Sequence, residues 1–404
     1  MAIVAVVICP ALALRFLGIQ VDPIVGLIAY GGAVVGASFV LAWAAEAAQV
    51  DVSGSLAVAV LAVIAVLPEY AVDLYYAYTA GHMPAYTQYA AANMTGSNRL
   101  LMGLGWPVVV LVSVLVAHRT SGRKIDGLEL EASNRLEIGF LMIAGVVAFV
   151  IPATGRIHIA LGVALLCWFG YYLFKLTRGD VEEPELIGTA AALGGLPDRT
   201  RRIAVSMLFI FAAAVILTCA KPFADNLIST GTKLGIDRFL LVQWLAPLAS
   251  EAPEFIIATI LAARGKGGTA IAMLISAKVN QWTLLIGSLP VAFMLGGGGA
   301  AMHLDGRQIE EIVLTAAQTL MGVTLLLGLR FQRWTAWTLL GLFVVQFPLT
   351  STDGRLVLSG VYAVIAVVAV VRHRRELLPT LSAPFAGRAK RHGGRPQPEE
   401  AHSP

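Results

Sequence analysis

LAVIAVLPEYAVDL at 61–74 and WLAPLASEAPEFII at 244–257 decide how this chain folds. Each carries a Pro-Glu pair, Pro68-Glu69 and Pro253-Glu254, inside an apolar run. A carboxylate in such a run is costly unless it is paired, hydrated or bound to an ion. The proline beside it removes a backbone donor and opens the helical hydrogen-bond ladder next to the acid. An isolated pair reads as a structural glutamate with a partner; the same pair twice reads as a duplicated unit. Two more landmarks follow in the same order. Asn98 in TGSNRLLMGLG and Asn280 in AKVNQWTLLIG each precede a glycine by seven residues, and KIDG with Asp126-Gly127 matches HLDG with Asp305-Gly306. The offset between copies drifts slowly, as small deletions in a repeat would make it.

Working outward, the chain has 404 residues, 57% of them hydrophobic and 13% charged. That composition cannot form an ordinary water-facing surface. In hydrocarbon every backbone N–H and C=O must be satisfied within its segment, so apolar runs of about 20 residues imply helices. Alternating runs of about ten, as in a membrane barrel, are absent. The pattern predicts helices at 2–17, 25–48, 54–79, 86–117, 135–152 and 157–175, then 203–224, 237–263, 268–297, 309–329, 333–350 and 355–372. The expected fold is an all-α polytopic membrane protein of about 12 transmembrane helices. Residues 1–20 form an extra helix, 25–175 the first repeat, 176–202 a cytoplasmic linker, 203–350 the second repeat and 355–372 an extra C-terminal helix. Each repeat holds five helices, an odd number, so the second copy must be inverted in the membrane. Inverted repeats place a substrate site near the midplane where the copies meet.

Lys and Arg collect on cytoplasmic loops. Arg119, Arg123 and Lys124, then Arg178, Arg199, Arg201 and Arg202, then Arg264 and Lys266, then Arg330 and Arg333 fall on one side when both termini are cytoplasmic. Residues 373–404, with Arg374, Arg375, Arg388, Lys390, Arg391 and Arg395, read as a disordered basic tail, a topology signal or a contact for anionic lipid. Cys9, Cys167 and Cys219 lie far apart in apolar runs and are expected to be core residues, neither disulfides nor metal ligands. MAIVAVVICPALALRFLG lacks a basic start and a cleavage site, so it reads as a first helix.

Glu69 and Glu254 head the candidate site residues, since an inverted pair faces itself across the pseudo-two-fold axis. Asp73 lies at i+4 from Glu69, and Glu251 three before Glu254, so both share those helix faces. Asn98, Asn280, Ser97, Ser276, Asn93 and Ser250 are candidate neutral oxygens, completing a hard-oxygen site for Ca2+, Na+ or protons. Taken singly, the serines and asparagines equally suit helix–helix hydrogen bonding. Four carboxylates in one cavity cannot all ionise without cations, which makes proton coupling an expectation. Lys278 is read as a site modulator, either paired with Glu251 or Glu254 in place of an ion or snorkelling to an interface. Arg99 is expected to snorkel.

These segments resemble the α-repeats of the cation/Ca2+ exchanger superfamily, which includes Na+/Ca2+ and Ca2+/H+ exchangers. AEAAQVDVSGSLAVAVLAVIAVLPE and TGSN are similar to the first repeat, and ADNLISTGTKLGIDRFLLVQWLAPLASEAPE to the approach to the second; the likeness spans roughly 25–350. The resemblance implies a ten-helix core of two inverted five-helix repeats. It places Glu69 and Glu254 on the transported cation and puts family oxygen positions at Asn98, Ser97, Asn280 and Ser276. The chain departs from the pattern where Ala65 and Val66 stand for hydroxyls and where Lys278 and Val279 replace Gly-Ser. Those losses argue against three-for-one Na+/Ca2+ exchange and favour proton coupling.

The expected function is a secondary-active antiporter in the plasma membrane of a prokaryote. It would exchange Ca2+ or Na+ against H+ or Na+ by alternating access, with the bilayer and small inorganic cations as partners and neither cofactor nor nucleic acid. The alternative is a non-transporting or sensory relative with Lys278 in the ion site. An intramembrane enzyme is a third reading, but His82, His118, His158 and His303 are scattered near helix ends and His373, His392 and His402 lie in the tail. No glycine-rich phosphate loop is present either, which argues against ATP-driven transport.

Overall fold

The computed structural model describes residues 2–51, 66–121, 125–177, 186, 188–349 and 351–386. The first half contributes helices Ala2–Phe16, Pro23–Ala48, Leu67–Ala80, Thr87–Leu100 continuing into Trp106–Ser121, Arg135–Val147 and Ile159–Leu176. The second contributes Asp198–Leu234, Arg238–Ala263, Gly267–Asn280 continuing into Ile286–Leu295, Gly306–Leu325, Arg333–Val345, Thr352–Arg372 and Arg374–Ser382. Among the described residues eight stretches are long and apolar enough to cross a membrane, and Ile3–Phe16 and Arg333–Val345 are shorter apolar helices. The part of the expected 54–79 helix before Val66 lies outside the described residues.

Two departures from the sequence expectation have local causes. The helix expected at 203–224 runs from Asp198 to Leu234, taking up the end of the presumed linker. Its first turn is fixed because Arg201 forks both Asp51 oxygens at 2.7 Å, with Arg202 adding a bond at 2.9 Å. Those guanidinium bonds, Arg201 first, hold the Asp51 carboxyl down at about 2. Gly235 in the left-handed region (φ 66°) ends the helix. The basic tail is the second departure. Residues 374–382 are helical rather than disordered, because Arg135 pairs with Glu376 at 2.5 Å, Tyr171 donates to the Pro384 carbonyl at 2.8 Å and Lys175 to that of Ala386 at 2.9 Å.

The halves share internal landmarks that pattern reading did not foresee. Each interrupts a helix with a π-helical turn, at Leu101–Gly105 and at Gln281–Leu285. Each also has two three-residue strands. Gly127–Glu129 pairs antiparallel with Arg330–Gln332, and Arg156–His158 with Ala301–His303. Both pairs therefore join one half of the chain to the other.

Packing is closest where small residues let backbones touch. Pro23–Ala48 lies along Asp198–Leu234, Thr352–Arg372 along Gly306–Leu325, and Thr87–Leu100 against Arg238–Ala263. In this last crossing, Pro247 lacks the N–H that would bond the Gln243 carbonyl one turn earlier. Gly96 occupies the space beside that freed carbonyl, and a Cβ built on it would lie 1.7 Å from the oxygen. The contact fixes the turn that carries Ser97 and Asn98.

Two outcomes follow. Gly96→Ala has to push the helices apart, at a cost of about 1–3 kcal/mol or more, read as a lower melting temperature of the purified protein in detergent. For Asp51, a carboxyl held down in the folded state contributes stability above its unfolded value of about 4 and loses it as pH falls toward about 2. Asp51→Asn is therefore expected to melt earlier than the parent at pH 7, with the gap closing as the pH is lowered below about 4.

Candidate ion-binding site

The two Pro-Glu pairs sit in different local structures. Leu67–Ala80 starts at the first pair, with Pro68 in the position where a missing N–H costs nothing and Glu69 in the first turn. Residues Arg238–Ala263 form one continuous helix through Pro247 and Pro253, so Glu251 and Glu254 project from the same face.

Ser97 is the junction between them. Its hydroxyl oxygen lies 2.5 Å from Glu69 Oε1, contacts Glu251 Oε1, and accepts from Gln281 Nε2 at 3.0 Å. The same Gln281 amide donates to Glu251 Oε1 at 2.9 Å. All four side chains are buried. Glu251 Oε2 and Gln281 Oε1 have no hydrogen-bond partner among the described residues, so two acceptor oxygens are left over in the same group. Glu254 is half-buried within electrostatic reach of Glu69.

The asparagines complete the surround. Tyr70 donates to Asn280 Oδ1 at 2.7 Å. Lys278, fully buried, donates to Asn98 Oδ1 at 2.9 Å and to the Asn98 backbone carbonyl, with its ammonium 5.8 Å from the centre of the Trp282 ring. It makes no ion pair with Glu251 or Glu254, and it does not snorkel. Asp73 and Asn93 are buried one turn away from Glu69 and Ser97.

Two candidates point elsewhere. The Ser276 hydroxyl is 2.6 Å from that of Tyr172, and Ser250 bonds back to the Ala246 and Pro247 carbonyls of its own helix at 3.2 and 3.3 Å. Both are helix hydrogen bonds. Among the described residues no group of three or more His, Cys, Asp or Glu side chains is arranged as a resident metal centre; the groups that converge on the Ser97 hydroxyl are two carboxylate oxygens and the Gln281 amide nitrogen.

Arg99 is a further correction. It is 2% exposed and pairs with fully buried Glu311 instead of reaching an interface. Glu311 also binds Arg355 and accepts from Gln243 at 3.0 Å; Arg355 reaches Glu310 at 3.3 Å, and Arg99 donates to Gln346 at 3.0 Å. Removing Arg99, Glu310, Glu311 or Arg355 would leave an uncompensated buried charge. Sequence reading missed Gln281, Tyr70 and this network. Glu310-Glu311 and Arg355 fell near the expected helix ends, where charge is unremarkable; the amphipathic pattern of Gly306–Leu325 was the available signal.

Comparison with known proteins places this geometry. A family model for the sodium/calcium exchanger protein matches residues 23–178 and 205–349, two segments that fall on the two halves. The crystal structure of the H+/Ca2+ exchanger CAX is similar at 37% identity, with a TM-score of 0.89 over 95% of this chain and 96% of that one. Native YfkE aligns at 15% identity and TM-score 0.61, over 89% of this chain and 98% of that one. The sodium-calcium exchanger NCX_Mj, soaked with Na+ and Sr2+, aligns at 17% identity and TM-score 0.53, over 81% of this chain and all of that one. The likeness to these last two shows the fold alone. No match was found among curated protein sequences. An integral membrane protein matched by that family model over most of its length, and sharing more than a third of its residues with a solved exchanger, belongs to the sodium/calcium exchanger protein family.

Proposed function

We propose that the protein is a secondary-active antiporter that moves Ca2+ against protons at a site built on Glu69, Glu251 and Glu254. Ser97, Gln281 and the asparagines Asn98 and Asn280 supply or orient neutral oxygens. The observation that carries this reading is the Glu69–Ser97–Glu251 junction. A serine hydroxyl has one hydrogen and can donate it to one carboxylate only. For both contacts to be hydrogen bonds, the second carboxyl has to donate to Ser97, so this geometry holds a proton. A divalent cation entering the group displaces that proton and takes the freed carboxylate oxygens, together with Glu251 Oε2 and Gln281 Oε1. Coupled exchange follows from one site that cannot hold both at once. Similarity to a solved H+/Ca2+ exchanger at 37% identity supports Ca2+ and protons over other pairs.

Alternating access then needs two related halves of opposite orientation. Two inverted repeats would map each strand pair onto the other, and the residue numbers support that. Gly127 to Ala301 and Arg156 to Arg330 are equal steps along the chain, so exchanging halves converts one pairing into the other. With both termini cytoplasmic, the Gly127–Glu129 pair would lie inside and the Arg156–His158 pair outside. The plasma membrane of a prokaryote is the proposed location. The extra helices at the two ends would flank a ten-helix core.

Lys278 favours one competing reading. Its ammonium occupies both oxygens of Asn98, which is what a non-transporting relative with a built-in cation would show. The absence of Ca2+ flux under any gradient in the parent protein would select it.

In proteoliposomes, Ca2+ uptake is expected when the lumen is more acidic than the bath, with alkalinisation of the lumen in step as protons leave. Glu254→Gln is expected to abolish uptake, and uptake at the parental rate in that variant would remove Glu254 from the site. In detergent at weak buffering, Ca2+ addition is expected to release protons. Glu251→Gln is expected to release at least one fewer proton per Ca2+ than the parent, as followed with a pH dye.

A further inference from the structure

A second polar group lies one helical turn beyond the glutamate centre. Leu67–Ala80 and Thr87–Leu100 run as an antiparallel pair, joined by the Glu69–Ser97 contact at 2.5 Å. Four residues on from Glu69 is Asp73, and four back from Ser97 is Asn93, so the same pairing brings these two together. Tyr76, three after Asp73, projects from the same face and lies within electrostatic reach of it. Asp73, Asn93 and Tyr76 are each fully buried. The Asn93 side chain sits close enough to Asp73 to interact with its carboxylate, and among the described residues Asp73, Asn93 and the Tyr76 hydroxyl have no hydrogen-bond partner outside this group.

Buried polar groups are nearly always satisfied, and an unpaired carboxylate is the costliest exception. Three fully buried polar side chains with no hydrogen-bond partner outside their own group are therefore not a packing accident. They offer the two Asp73 oxygens, the Asn93 amide oxygen and the Tyr76 phenol oxygen. One formal negative charge and four oxygens suit a singly charged cation better than Ca2+, which takes six to eight oxygens. The Tyr75 ring lies 5.9 Å from that of Tyr76, and its hydroxyl donates to Asp225 Oδ1 at 2.7 Å. Asp225, with Lys221 and Asn226, lines a cleft of about 300 Å3. The charged and titratable groups around the cluster are Glu69, Tyr70 and Tyr75 on its own helix, Tyr86 and Tyr89 from the following segment, and Asp225 from Asp198–Leu234.

We propose that Asp73, Asn93 and Tyr76 form a second cation site, distinct from the glutamate centre, which takes one singly charged cation as a further counter-ion of exchange beside the proton held at the Ser97 junction. The assignment rests on the antiport reading above. Two flux measurements on the full chain in proteoliposomes separate the sites. One is Ca2+ uptake driven by a proton gradient or, in a parallel arm, a Na+ gradient. The other is exchange of labelled for unlabelled Ca2+ with identical pH and Na+ on both sides, which needs only the Ca2+ site.

Asp73→Asn, nearly isosteric, is expected to lose driven uptake by about tenfold or more while keeping Ca2+/Ca2+ exchange within about twofold of the parent. The arm that loses its drive names the cation. Parental driven uptake in this variant would overturn the proposal, leaving the cluster a structural feature. Loss of both fluxes with an unchanged melting temperature would also overturn it, by placing Asp73 in the glutamate centre. Should Asp73→Asn fail to fold, Asn93→Ala is expected to raise the counter-ion concentration for half-maximal uptake about threefold or more, and an unchanged value would sink the proposal. A parent protein inert in both assays would remove the antiport reading itself, an outcome distinguishable from either result with the variants.

Discussion

The constraint on which the rest of this molecule depends is the cost of carboxylates in hydrocarbon. Glu69, Glu251 and Glu311 are all buried, and each sits where another helix answers it. Glu311 is answered by fixed positive charge, through Arg99 and Arg355. Glu69 and Glu251 are answered by neutral donors, Ser97 and Gln281. That difference separates scaffold from site. A carboxylate neutralised by arginine has no need of a mobile cation, whereas one held by a hydroxyl and an amide stays open to a proton or a metal ion.

Close backbone contact makes the arrangement possible. Gly96 next to the Gln243 carbonyl brings two helices together within one turn of Ser97. Pro247 contributes from the other side by leaving that carbonyl free. The sequence features that look like helix defects, prolines and glycines in apolar runs, are the ones that set the distance between acids on different helices.

Much of this was legible before any coordinates. The duplicated Pro-Glu pairs led to Glu69 and Glu254, and the i+4 and i−3 spacing led to Asp73 and Glu251, because helix geometry converts spacing into a shared face. Side-chain partners were less legible. Ser276 was grouped with the site as a candidate neutral oxygen, from the residues and again from the resemblance, but its hydroxyl bonds that of Tyr172; a helix pattern gives a face without giving the neighbour across it. Arg99 was read as a snorkelling residue because nothing local marked Glu311, more than 200 positions away, as its partner. The tail was read as disordered on composition, yet Glu376 and the carbonyls of Pro384 and Ala386 tie its first part to the body. Long-range polar pairing leaves little periodic signal in a single sequence.

The two short strand pairs act as staples. One fastens the connection after Trp106–Ser121 to the start of Arg333–Val345, and the other fastens the start of Ile159–Leu176 to the connection before Gly306–Leu325. Neither strand pair is part of Pro23–Ala48 or Asp198–Leu234, which lie along each other. Any motion that preserves the hydrogen bonds of both strand pairs must leave the stapled helices as a frame. The long pair carries neither strand, so a displacement of it along that frame would break none of the strand hydrogen bonds.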